Sequence, residues 1–149
     1  MSVQLIGVKE LYQCFAGLPR QVSEPILQKI HAKAAIPAVN RIHRLAPVGK
    51  TGNLAESIGI VKAGKKNVGE LGAINIGPRR KGGFKGFAGH LNEYGTRKRS
   101  TKKGANRGQM KAKPFEAPAW EQTDTQVENN IEKELKNVLE GYIRKTVKK

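Results

Sequence analysis

Residues 97–113 read RKRSTKKGANRGQMKAK, and no other stretch constrains the fold of this chain as strongly. Eight positions are basic (Arg97, Lys98, Arg99, Lys102, Lys103, Arg107, Lys111 and Lys113), none is acidic, and no apolar residue recurs at helical or strand spacing. Such a segment has nothing to bury, so a core has to come from the sequence on either side. The composition predicts a long flexible basic loop. Folded back as a hairpin arm, its seventeen residues reach roughly 25–30 Å at ~3.4 Å per extended residue. Loops of this length inside a domain are commonly functional, and the one-sided charge assigns this one a contact with a partner or with DNA.

The run belongs to a wider basic window. From residue 79 to residue 113, twelve basic residues, now including Arg79, Arg80, Lys81 and Lys85, face Glu93 alone, a net +11. The whole chain carries +16, from 28 Lys+Arg against 12 Asp+Glu, so the other 114 residues hold only +5. The excess is a local device that favours a polyanion or an acidic protein surface. At 149 residues the chain fits one domain, 1–149. Its eight aromatic residues and 17 glycines predict a modest aliphatic core with sizeable loops.

Apolar spacing places the elements. A short helix is expected over 8–15, ended by Gly17, Leu18 and Pro19. A second is expected over 21–46, with Ser23 as N-cap, Pro25 in its first turn and a kink at Pro37. Its stripe is Ile26, Ile30, Ala34, Ala38, Ile42 and Leu45. Residues 57–63 and 71–76 read as an antiparallel hairpin closed by Gly77 and Pro78. A long C-terminal helix is expected from Pro114 onward, its stripe formed by Trp120, Val127, Ile131, Leu135, Val138 and Tyr142. The fold class that follows is α+β: N-terminal helices and a long C-terminal helix packed on a small antiparallel sheet.

Chemical motifs are few. No apolar run approaches the ~20 residues that span a bilayer, and residues 1–17 lack the basic-then-apolar layout of a signal peptide. The single cysteine, Cys14, sits among Leu11, Tyr12, Phe15 and Leu18 and is expected to be buried. His31 and His43 lie too far apart on one helix to share a metal ion. Gly49-Lys50-Thr51 imitates the end of a phosphate-binding loop, but Arg44 stands where the motif needs glycine and a helix precedes it. Gly83, Gly86 and Gly89 have the look of a backbone-clamping loop, a spacing that flexible turns explain equally well. His90 and Glu93, three apart, are the only candidate acid–base pair, and would serve an RNA-cleaving enzyme if a further group joined them. The expectation is a non-enzymatic protein without cofactor or metal.

Three segments in order, 45–58 (LAPVGKTGNLAESI), 90–96 (HLNEYGT) and 113–120 (KPFEAPAW), resemble the tail-completion, or head–tail joining, proteins of long-tailed bacteriophages, the family of the lambda Z protein. The resemblance extends over most of the chain, from about residue 3 to residue 143. Departures are Lys50 in a turn that more often reads Pro-Val-x-Thr-Gly, Glu116 where an apolar residue usually follows the Phe, and the length and basicity of 96–113. The resemblance implies a structural virion component: a homo-oligomer, expected as a hexameric ring at the neck, between the head-closure proteins and the tail-terminator or tail-tube proteins. It would be assembled in the host cytoplasm and have no membrane partner.

The motif residues Pro47, Gly52, Leu54, Ser57, His90, Glu93, Tyr94, Gly95, Pro114, Phe115, Pro118 and Trp120 then make sense as scaffold. Gly52 and Gly95 are expected at positive φ, Pro114 and Pro118 to set the entry of the last helix, and Phe115 and Trp120 to anchor it on the sheet. Within a ring, the basic loop is expected to embrace an acidic surface of the neighbouring ring. A strongly cationic channel would hold DNA that must later slide, which leaves only a passing contact with genomic DNA. The rival is a basic nucleic-acid-binding protein of ribosomal type, disfavoured by the scarcity of aromatics for base stacking.

Overall fold

The computed structural model describes Gln13 and residues 20–62 and 72–147. The expected helix over 8–15 (Gln13 apart), Cys14 and the turn of the hairpin lie outside them. The fold is α+β, with helices, a two-stranded antiparallel sheet and a long C-terminal helix. In chain order the elements are α1 (Arg20–Ala34), α2 (Ile36–Leu45), α3 (Asn53–Ser57), β1 (Ile58–Lys62), β2 (Ile74–Pro78), a 3-10 turn (Gly86–Ala88), α4 (Gly89–Tyr94), α5 (Glu116–Glu121) and α6 (Asp124–Val147). The described residues group into two compact units.

The first unit contains α1, residues 72–75 and α6. Leu27, Ile30 and Leu135 are its fully buried centre, flanked by Ile26, Ile131 and Val138, so the two expected stripes do meet. Each buried leucine contributes about 1.5–3 kcal/mol by leaving water. Ser23 is not an N-cap: α1 already runs from Arg20, and Ser23 is buried within it. Pro25 is solvent-exposed in the helix interior. His31 is half-buried, and its Nδ1–H donates to Gly72 O at 2.7 Å. Gly72 has φ +72°, and a Cβ there would collide with the Leu27 side chain, so glycine is required at this approach.

Pro37 does more than kink a helix. Ala35 N–H still bonds His31 O (2.9 Å), then the helix stops and α2 starts afresh at Ile36. Pro37 becomes the second residue of α2, where no backbone donor is needed.

The second unit comprises Ala38–Val61 and Ile76–Thr123. Its core is Ile42 and Ala46 at the end of α2, Leu54 and Ala55 of α3, Ile58 of β1, and Phe115 and Ala119 around α5. The second strand lies later than expected: β2 spans Ile74–Pro78, so Gly77 and Pro78 belong to the strand and do not close it. Arg79 N–H extends the pairing by bonding Ser57 O at 2.9 Å.

The C-terminal helix is not continuous from Pro114. α5 ends at Glu121 and α6 begins at Asp124. Thr123 supplies the interruption: its Oγ1 donates to Ala119 O (2.8 Å) and its N–H to Trp120 O (2.9 Å). Asp124 then accepts from Thr125 N–H at 2.6 Å and opens the next helix. Short polar side chains that bond the local backbone compete with a continuing helix.

Candidate partner-contact site: a capped scaffold and a basic arm

α4 carries the 90–96 motif and is stopped by Gly95 at φ +72°, as expected for that glycine. A Cβ on Gly95 would lie 2.7 Å from Met110 O and 2.8 Å from Ala112 N, so the position also admits the returning strand of the basic segment. Gly52 has φ +64° before α3, again the left-handed turn expected of it. Leu54 and Ser57 are buried, Ser57 Oγ donating to Leu54 O at 2.6 Å, and Pro47 is half-buried.

Glu93, on α4, is 6 % exposed. Its Oε2 accepts Phe115 N–H (2.7 Å) and Glu116 N–H (3.0 Å), and its Oε1 accepts Ala117 N–H (3.0 Å). One carboxylate thus takes three amides at the start of α5, the free donors every helix presents at its N-terminus. Burial pushes its pKa up, but the bonds from Glu116, Phe115 and Ala117 outweigh that and hold the carboxyl below its ordinary value. Negative charge at a helix N-terminus is further favoured by the backbone dipoles.

The acid–base pair therefore does not form as the sequence suggested. The Glu93 carboxylate is engaged by backbone, while His90 is exposed, with its Nδ1 accepting from Arg80 at 3.3 Å. The capping role was hidden because it acts 22 residues away. One signal was present: Phe115, the residue before α5, has no side-chain acceptor to cap a helix, so the cap had to come from elsewhere.

Glu116 lies beside this cap. Partial burial first, and then the Glu93 charge, raise its pKa. It lines a shallow cleft of about 190 Å³ with Pro78, Arg80, Gly86, His90 and Tyr94. Phe115 is 1 % exposed and anchors the core, whereas Trp120 is 47 % exposed. Pro114 is exposed and leads into α5, and Pro118 is a half-buried residue within it. Tyr94 (81 %) and Phe87 (60 %) are also exposed, so aromatics are not scarce on this surface.

Arg79 is withdrawn from the basic window. Its Nε donates to Ser57 O at 3.0 Å, and one terminal nitrogen reaches Ile58 O (3.3 Å) and Glu56 O (3.4 Å). Its guanidinium lies 3.6 Å from the Phe84 ring centre. A Cβ on Gly59 would sit 2.8 Å from that guanidinium, and one on Gly86 would sit 2.6 Å from Arg79 O. Gly86 and Gly89 are accordingly packing positions against Pro78, not a ligand clamp.

Residues 97–113 have more order than their composition predicts. Thr96 N–H bonds Met110 O (2.9 Å), Arg99 N–H bonds Gly108 O (3.0 Å), and Arg107 N–H bonds Arg99 O (2.7 Å). Ser100 and Asn106 form an antiparallel bridge, and Thr101 N–H bonds Ala105 O (2.9 Å) across the tip. Thr101 Oγ1, Asn106 Oδ1 and Thr96 Oγ1 each accept one further backbone N–H. The small polar residues that read as loop formers hold a hairpin arm together through side-chain bonds to backbone. Its base is fixed by Lys113 N–H to Asn92 O at 2.6 Å. All eight cations are exposed: Arg97, Lys98, Arg99, Lys102, Lys103, Arg107, Lys111 and Lys113.

Among the described residues there is no group of three His, Cys, Asp or Glu able to hold a metal ion. No helix among them is long and apolar enough to cross a membrane. The chain matches no protein-family model, no curated protein and no solved structure.

Proposed function

We propose that this chain is a structural subunit of the neck of a long-tailed bacteriophage, forming a hexameric ring that joins the DNA-filled head to the tail. Its partners are further copies of itself and the adjoining head-closure and tail-terminator or tail-tube proteins. It is assembled in the host cytoplasm and ends in the virion. The observation that carries the reading is that the three motif segments meet in one scaffold: 45–58 and 113–120 share a core, and Glu93 of 90–96 caps α5. These residues spend their polar groups on backbone, as scaffold residues do. The arm, with all eight cations exposed, is the part given the partner contact.

The test is assembly. Purified full-length protein, alone and with the neck proteins of its phage, is expected to give rings by negative-stain electron microscopy and a matching mass by light scattering. A monomer under both conditions refutes the proposal. The exposure of Phe87, Tyr94 and Trp120 favours a second reading, a nucleic-acid-binding protein of ribosomal type. That reading requires selective binding to one RNA fold at moderate salt, without rings.

A further inference from the structure

We infer that the arm is a sequence-independent duplex-DNA element, a two-stranded ribbon that lies in the major groove with its cations on the phosphates of both walls. The inference rests on the reading of the arm as the part of the subunit that meets a partner, and it names that partner. Three observations carry it.

The first is the distribution of charge around the ribbon. Arg97, Lys98 and Arg99 are consecutive and all exposed, with Arg107 returning beside Arg99 and Lys102 and Lys103 at the tip. The eight cations are thus exposed on both sides of the hairpin and at its tip. A flat acidic protein surface would engage one face and leave the other charges unused. A groove with phosphates along both walls engages them together.

The second is the absence of an apolar anchor. The one large apolar side chain in 97–113, Met110, is half-buried at the base beside Thr96, none occurs from 97 to 109, and lysines outnumber arginines five to three. Protein interfaces depend on buried aromatic, Met and Arg anchors and are depleted in lysine. Phosphate contacts need only charge, and lysine supplies it. The third is shape. The arm is a hydrogen-bonded hairpin on a fixed base, and a two-stranded ribbon fits the roughly 12 Å major groove of B-form DNA. The difficulty of moving DNA past a cationic channel is met by the same physics, because contacts that read no base allow sliding.

The experiment measures binding of full-length protein to a fluorescently labelled random-sequence DNA duplex of about 24 base pairs, across about 50–200 mM salt. If about six of the cations meet phosphates, affinity falls about 10³-fold over that range. The triple variant Lys102→Gln, Lys103→Gln, Arg107→Gln is expected to lower the salt slope by about three and weaken binding at least tenfold at low salt. Those three side chains make no hydrogen bond or ion pair among the described residues, so the thermal transition should not move. A control variant, Lys29→Gln, Arg44→Gln, Lys50→Gln, removes equal charge elsewhere and should bind as wild type. Duplex RNA, whose major groove is too deep and narrow for a ribbon, should bind more weakly than DNA.

No binding at low salt overturns the inference, as does equal loss in both variants. Duplex RNA bound as tightly as DNA overturns the groove placement. Arm-dependent binding to poly-glutamate with none to DNA assigns the arm to an acidic protein and overturns it too. Ring formation scored on the same samples separates the two claims: rings without DNA binding defeat this inference alone, and DNA binding without rings defeats only the neck assignment.

Discussion

Replacing Glu93 should cost this protein more than replacing any exposed charge, and the size of the loss follows from its three bonds. A hydrogen bond to a charged group contributes about 1.5–3 kcal/mol, and a buried donor left unpaired costs about 1–3 kcal/mol. Only Phe115 N–H is fully buried, while Glu116 N–H and Ala117 N–H are part-buried and regain water in a variant. Glu93→Ala is therefore expected to destabilise the fold by about 3 kcal/mol. Glu93→Gln keeps one carboxamide oxygen as acceptor but turns an NH₂ group toward backbone donors, and should cost about 1–2 kcal/mol. The assay is urea unfolding at neutral pH, followed by far-ultraviolet circular dichroism and by the fluorescence of Trp120. That residue is the only tryptophan and lies on the capped helix α5, so it reports on the affected element directly. Both substitutions falling within about 0.5 kcal/mol of wild type, the range of ordinary surface changes, would refute the capping account. So would Gln costing more than Ala.

Acidification should act on two neighbouring carboxyls with opposite sign. Glu93, held below its ordinary pKa, contributes stability above that ordinary value and loses it as pH falls through the lowered folded value. Glu116, raised by burial and by Glu93, returns stability as pH falls through its folded pKa toward the ordinary value. Glu116→Gln should therefore raise the melting temperature at neutral pH and remove the mildly acidic rise, leaving the loss at lower pH that Glu93→Gln abolishes. Gly95→Ala combines a positive φ with a 2.7 Å contact to Met110 O and should cost about 2–4 kcal/mol, whereas Gly83→Ala, at φ +85° in open space, should cost about 1 kcal/mol. Phe115→Ala should cost about 3–5 kcal/mol and half-exposed Trp120→Ala under half of that, both by chemical denaturation. Excising residues 100–109 joins Arg99 to Met110, whose strands already lie together, and should leave the melting temperature within about 2 °C.

The sequence made the helical packing legible where apolar periodicity carried it. The stripe with Ile26 and Ile30 on α1 and the stripe with Ile131 and Leu135 on α6 need only a 3.6-residue repeat to be seen, and they meet. It was less informative where a single side chain overrides a propensity. Thr123 and Asp124 break a run whose apolar spacing continues on both sides, because their oxygens take up backbone groups that a helix would pair internally. The strand's end was misplaced at Gly77 and Pro78, turn formers by type that an edge position in a two-stranded sheet tolerates. Within the candidate site, the positive φ of Gly52 and Gly95 was readable from residue type alone. The partner of Glu93 was not, since a cap supplied from another helix leaves no local pattern in the chain.

Glu93 and Arg79 together show why charge count alone misleads in this molecule. Both stand in the basic window, one the lone acid and the other the first base, and both are committed to backbone: Glu93 to the amides opening α5, Arg79 to the carbonyls closing α3. Each neutralises a helix end with the sign that the backbone dipole favours. Setting this pair aside leaves eleven cations and no acid between residues 80 and 113, a net +11 that is unchanged in size but different in kind. Eight of them lie on an arm whose cationic heads are held by no acidic side chain among the described residues. A protein that needed charge only for solubility would gain nothing from concentrating it on a hydrogen-bonded ribbon, because dispersed charges repel each other less. Concentration on one hydrogen-bonded element raises the local positive field there. The base of that element is held on the scaffold by Lys113 N–H bonding Asn92 O, just before the amides that Glu93 caps.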